Sequence, residues 1–208
     1  MRRVVCPILI FTLVLLLVGD ASAVPTRRDT VLAWDDGTAE ESLVYLMGGG
    51  SDVVVEFWPP EWAHSITALQ FYILSGEEDG RAARAGVWAP SGAAGGPWYT
   101  VGPCPQFEAE ASDSGWKEVA FTVPLNLEDG DVFPGRTFYA GLYWLSSNHS
   151  WVGLDLSEPE SYATFVRPTG SPGWWRMSHN AMIRAVVSNE YVSPVEPSSW
   201  TRVKALFR

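Results

Sequence analysis

The chain is predicted to fold as a single all-β sandwich with jelly-roll-like winding. Three observations carry this reading. Short runs of β-branched and aromatic residues recur, divided by Gly, Pro, Asp and Ser. Several runs alternate apolar and polar residues with period two, the mark of a strand with one buried face. Fifteen prolines and 19 glycines are spread along the chain and interrupt any long helical pattern. A length of 208 residues supplies one sizeable core and is short for two domains. An immunoglobulin-like sandwich with fewer strands is the second arrangement the pattern allows.

The first segment is read as an export signal. Arg2 and Arg3 form a positive start, residues 4–18 an apolar run, and Ala21-Ser22-Ala23 a cleavage pattern. The run is shorter than the roughly 20 residues a membrane-spanning helix needs. Cleavage after Ala23 gives a secreted, extracellular or periplasmic product with no membrane span. It keeps one cysteine, Cys104, so no internal disulfide forms and stability comes from the core. The domain organisation expected is therefore a signal peptide over 1–23, a sandwich over 24–188, and a linker with a short basic tail over 189–208.

Strands are predicted at 30–34, 43–47, 53–57, 66–74, 85–89, 116–123, 137–144, 151–156, 162–166 and 181–187. In the sixth, Val119, Phe121 and Val123 share a face; in the fourth, Leu69, Phe71 and Ile73 do. Residues 48–52, 90–97 and 157–161 read as loops. Residues 193–199 read as a linker. Trp200 to Arg208 carries three cationic and no acidic side chains, and fits either a terminal element packed on the sandwich or an attachment tag.

Several of these segments resemble a non-catalytic β-sandwich module of secreted bacterial proteins. Trp34-Asp35-Asp36-Gly37-Thr38-Ala39-Glu40 resembles its opening, and Asn180-Ala181-Met182-Ile183-Arg184-Ala185 its closing strand. Between them, Phe71-Tyr72-Ile73, Val87-Trp88, Gly115-Trp116 to Val123, and Phe138-Tyr139-Ala140-Gly141-Leu142-Tyr143-Trp144 resemble its inner strands. The resemblance covers most of residues 30–187. It implies an extracellular sandwich without catalysis, and leaves the ligand open.

The chemistry the residues allow is narrow. A formal net charge of −10 argues against a nucleic-acid partner. No H-E-x-x-H, G-x-S-x-G or C-x-x-C motif occurs, and His64, His149 and His179 stand apart from one another. Cys104 lies between two prolines with no legible activating neighbour. Carboxylate pairs suited to glycoside hydrolysis are numerous but sit in no recognisable catalytic context. Asp35, Asp36 and Glu40 cluster oxygen ligands around a turn and could hold a structural Ca²⁺, with Asp155 a further ligand if the fold brings it close. The plainer alternative is an Asp-Gly turn in which Asp35 bonds its own backbone.

Eleven tryptophans are many for this length. Most are expected in the core. Trp58, Trp62, Trp144, Trp151, Trp174 and Trp175 are the candidates for ligand contact, because they flank turns or polar residues. The function expected is a secreted, non-catalytic binding module for extracellular carbohydrate or a cell-surface component. An envelope scaffold docked through the basic tail is one alternative, and a small carboxylate-dependent glycoside hydrolase is another.

Overall fold

The computed structural model describes residues 26–43, 51–74, 81–91, 96–102, 104–109, 114–145, 151–157 and 163–191. They form two antiparallel sheets packed as a sandwich. In chain order the strands are β1 (Asp29–Leu32), β2 (Glu41–Leu43), β3 (Asp52–Phe57), β4 (Ser65–Leu74), β5 (Arg81–Pro90), β6 (Pro97–Val101), β7 (Gln106–Ala109), β8 (Gly115–Asn126), β9 (Phe138–Trp144), β10 (Trp151–Asp155), β11 (Thr164–Arg167), β12 (Trp175–Arg176), β13 (Asn180–Ala181) and β14 (Ile183–Ser188). The first sheet runs β1-β14-β4-β10-β13, with β8 also on β4 and β2 on β10. The second runs β12-β11-β3-β9-β5-β6, with β7 also on β5. From β3 to β5, and again from β8 to β11, the chain changes sheet at every strand, which is a jelly-roll-like winding. Among the described residues no helix is long and apolar enough to cross a membrane.

Alternation decides which side chains the two layers share. Val53, Val55 and Phe57 of β3 and Phe138, Ala140, Leu142 and Trp144 of β9 point inward. They meet Ile183, Ala185 and Val187 of β14 and Leu69, Phe71 and Ile73 of β4. A register shift between Ile66 and Ala68 resets the parity of β4, so Ile66 joins the same core. Gly141 sits where β9 presses closest on β3. A Cβ there would lie 1.9 Å from the Val53 carbonyl oxygen, so only glycine fits.

The opening segment is fastened at both layers. Asp35 has a fully buried side chain and pairs with Arg184 of β14. Arg184 Nε donates to both Asp35 oxygens at 3.1 Å, and its Nη2 donates to Oδ1. The guanidinium also lies 3.8 Å from the centre of the Trp116 ring. Next to Asp35, the Trp34 carbonyl accepts a 2.7 Å bond from Asn180 Nδ2. Trp34 Nε1 donates to the Glu56 carbonyl of β3 at 2.8 Å. The opening and closing segments therefore meet, and the opening reaches across to the second sheet.

Some elements differ from the sequence reading. β6, β7 and β12 are not anticipated. They are short, and Pro97, Pro105 and the Trp174-Trp175 pair disguise them as loops. β5 begins at Arg81, four residues before its predicted start, because Arg81-Ala82-Ala83-Arg84 lacks β-branched residues. β2 is described only over Glu41–Leu43, and the rest of the predicted 43–47 strand lies outside the described residues. Beyond β14, Asn189 Oδ1 accepts the Arg28 N–H at 2.7 Å, and Tyr191 stacks on His64 at 4.0 Å. The expected signal, 1–23, and the tail from 192 onward lie outside the described residues.

Replacing Arg184 by Leu leaves the Asp35 carboxylate buried without its counter-charge. The expected cost is about 3–5 kcal/mol, as for other broken buried pairs. Urea unfolding checks this: the midpoint should fall sharply with the slope unchanged. A shift within error would show that the pair is not needed.

Candidate functional site

The second sheet carries a site on its outward face, built in three cross-strand rows. Directly paired residues of antiparallel strands share a face, about 4.8 Å apart from strand to strand. The first row is Arg167, Asp52, Tyr143 and Arg84, on β11, β3, β9 and β5. The second is Phe165, Val54, Gly141 and Gly86 on the same strands. The third is Glu56, Tyr139, Trp88 and Thr100, on β3, β9, β5 and β6.

The rows enclose a cavity of about 240 Å³. Asp52, Arg84, Tyr143 and Arg167 line it from the first row, Gly86 from the second, and Trp88 and Thr100 from the third; Cys104 completes the lining. The glycine gives the indole its place. A Cβ on Gly86 would stand 3.0 Å from Trp88 Cη2 and 3.4 Å from Cys104 Sγ. Beside the cavity, Val54, Trp88, Tyr139 and Phe165 form a second apolar cluster, with Trp174 packed against it. Trp174 meets Trp88 edge to face at 6.2 Å, and Tyr139 meets Phe165 likewise at 5.4 Å.

Charged groups are fixed around this cluster. Arg167 holds the buried Asp52 through Nε at 2.7 Å and Nη2 at 2.5 Å, while its guanidinium lies 4.8 Å from the Trp174 ring centre. Tyr139 donates its hydroxyl to Glu56 at 3.0 Å, and Arg176 approaches the same carboxylate at 3.7 Å. Burial pushes the Asp52 carboxyl above its ordinary range, against the pull of Arg167. Burial likewise raises the Tyr139 phenol, helped by Glu56. It raises the Cys104 thiol too, which Arg84 partly offsets. Cys104 is thus held as a thiol and is a poor nucleophile.

The tryptophans singled out from sequence are placed as follows. Trp144 is a correction: only 1% exposed, it belongs to the main core and presents nothing to a ligand. It shares parity with Phe138, Ala140 and Leu142. Trp174 is half-buried beside the cavity wall, and Trp175 is 53% exposed on β12. Trp58 is exposed and meets Trp34 edge to face at 5.5 Å. Trp62 is half-buried, with Arg28 4.2 Å over its ring. The Trp151 side chain lies outside the described residues. None of the other five lines the cavity. Arg84, Trp88 and Tyr143 do; the sequence reading names Trp88 and Tyr143 only as strand residues and does not single out Arg84. Their signal was present in two strands: Arg84-x-Gly86-x-Trp88 and Tyr139-x-Gly141-x-Tyr143 set polar, glycine and aromatic positions on one face.

The acidic turn is brought together differently from the expected set. Carboxylate oxygens of Asp36, Glu40 and Asp155 lie within 4.8 Å of one another, while Asp35 turns away to Arg184. Asp155 accepts from the Asp36 N–H at 2.9 Å and from Ser157 Oγ at 2.7 Å. Glu40 accepts from the Leu156 N–H at 2.9 Å, and Asp36 from the Thr38 N–H at 2.7 Å. Asp35 also accepts the Gly37 N–H at 3.1 Å, as an Asp-Gly turn does. Ca²⁺ takes six to eight oxygens, so these three carboxylates would be part of such a shell; in this structure they accept N–H and O–H donors. The group acts as a hydrogen-bonded latch between the opening segment and the end of β10.

The fold and site thus define an all-β sandwich with a cavity lined largely by polar side chains on the outer face of one sheet. Compared with known proteins, the sequence matches no family model and no curated protein.

The raised Asp52 carboxyl has a pH consequence. The native state keeps this proton to a higher pH than the unfolded chain, where Asp titrates near about 3.9. Its contribution favours the native state fully below that value and is lost as the pH rises through the native one. Asp52→Asn has no such proton to lose. Its stability relative to the wild type is expected to rise as the pH climbs through that window. Urea unfolding of both proteins across the acid range checks this, and a difference flat in pH would contradict it.

Proposed function

We propose that the protein is an exported, non-catalytic binding module whose ligand is an extracellular carbohydrate or another cell-surface component. The observation that supports this most is the cavity on the outer face of the second sheet. Arg84, Thr100, Tyr143 and Arg167 line it with side chains that can hydrogen-bond, and the buried Trp88 ring backs it. A pyranose ring carries a rim of hydroxyls, which such donors and acceptors suit. The volume lies below the roughly 300 Å³ at which drug-sized pockets begin. That suits a single ring better than a long chain lying in a groove.

The lining also favours binding over turnover. Glycoside hydrolysis uses two carboxyls flanking one bond. Among the described residues lining this cavity Asp52 is the single carboxyl, and Arg167 clamps it. The leader pattern ending at Ala23 is the basis for placing the protein outside the cytoplasm.

The test is binding of the full chain to a broad glycan panel, followed by calorimetry on any ligand found. Tyr143→Phe and Thr100→Val each remove one hydroxyl. Each should weaken binding about five- to tenfold with the unfolding midpoint retained. Trp58→Ala and Trp175→Ala should bind as the wild type does. Binding lost in Trp175→Ala but kept in the cavity variants would move the site elsewhere, and no binding across the panel would sink the carbohydrate reading.

A further inference from the structure

We infer that the cavity selects an anionic sugar, one whose ring carries a carboxylate as in a uronic acid, and that Arg84 receives that carboxylate. This rests on the binding reading above and names the ligand class for the same cavity.

The first ground is the state of the arginines. The chain has 24 acidic and 14 basic residues, so a guanidinium finds a carboxylate easily. Arg27, Arg136, Arg167, Arg176 and Arg184 each do. Arg28 instead covers the Trp62 ring. Among the described arginine side chains, Arg84 alone has neither a carboxylate nor a ring partner, and it is the one that lines the cavity beside an already neutralised pair.

The second ground is the local charge. In the first row Tyr143 stands between Asp52 and Arg84. Arg167 cancels Asp52 through two short bonds, which leaves the Arg84 charge uncompensated. Charges beyond about 8–10 Å are screened at physiological salt. The acidity of the whole chain therefore does not decide the potential inside the cavity.

The third ground is shape. A guanidinium is a planar fork that meets a carboxylate with two parallel N–H bonds. Tyr143 and Thr100 offer two hydroxyls for the rest of the ring, while the buried Trp88, 2% exposed, backs the cavity. A neutral sugar would leave the Arg84 fork to water. A ring carboxylate would fill it.

The experiment is calorimetry of the full chain with three sets of probes. They are acidic oligosaccharides of galacturonate, glucuronate or mannuronate, the same oligosaccharides methyl-esterified, and neutral oligosaccharides of equal length. At least one free acid is expected to bind tenfold or more tighter than its ester, with affinity falling as salt rises. Arg84→Gln should bring that acid to the level of the ester without moving the ester's affinity or the unfolding midpoint. Arg84→Lys, which keeps the charge and loses the fork, should fall between. Equal binding of ester and acid, or of neutral oligosaccharides alone, would overturn the selectivity and leave the carbohydrate-binding reading standing. Preference for a sulfated sugar over every uronate would overturn the carboxylate assignment. Failure of all these probes and of the broad panel would overturn both readings.

Discussion

The pairing of Asp35 with Arg184 is the contact on which the arrangement of the two layers depends. It joins residues 149 positions apart and removes a carboxylate from water. Such a group is tolerable only while its counter-charge is in place. The pair also sets its neighbours. With Asp35 fixed, Trp34 is aimed across the edge of the sandwich to the Glu56 carbonyl, and Asp36 is brought to Asp155. Glu56 belongs to the third row of the candidate site. One chain of direct contacts therefore runs from the closing strand, through the opening segment, to the strand that carries one side of that face.

The site itself follows from the alternation that makes the core. Each central strand of the second sheet spends one parity on the interior and the other on the outer face. On β9 the inward set is Phe138, Ala140, Leu142 and Trp144, which leaves Tyr139, Gly141 and Tyr143 outside. On β5 it leaves Arg84, Gly86 and Trp88. The two glycines fall opposite each other and open a strip without side chains between a polar row and an aromatic row. Gly141 answers to backbone crowding by β3, whereas Gly86 answers to the Trp88 ring. A packing requirement and the candidate site thus coincide in one register.

What the sequence made legible divides along physical lines. Strands with β-branched alternation, such as those now seen as β3, β4, β8, β9 and β14, could be read directly. Short edge strands beside Pro97 and Pro105 could not, because pairing and not propensity makes them strands. The Asp-Gly turn was legible, but its partner was not: nothing local to Asp35 points to Arg184. The Ser and Asn after Trp144 suggest an exposed ring, whereas its parity with Phe138, Ala140 and Leu142 places it in the core. The cavity residues are not legible by the turn-flanking criterion that singles out the tryptophans, because Arg84, Trp88 and Tyr143 lie within strands.

That strand placement bears on how the cavity can bind. Ligand contacts on loops must be ordered at the moment of binding, which costs about 0.5–1.5 kcal/mol for each long side chain immobilised. Here much of that ordering is built in. Trp88 is held between Gly86 and Trp174, and Arg167 between Asp52 and the Trp174 ring. Tyr143 stands on a central strand with a neighbour on each side. Arg84 is the exception, exposed and without an ion-pair partner among the described residues. A rigid frame with one movable cation places the entropic cost of recognition on a single side chain. On the reading proposed above, that side chain's charge is the feature by which the frame would tell one ring from another.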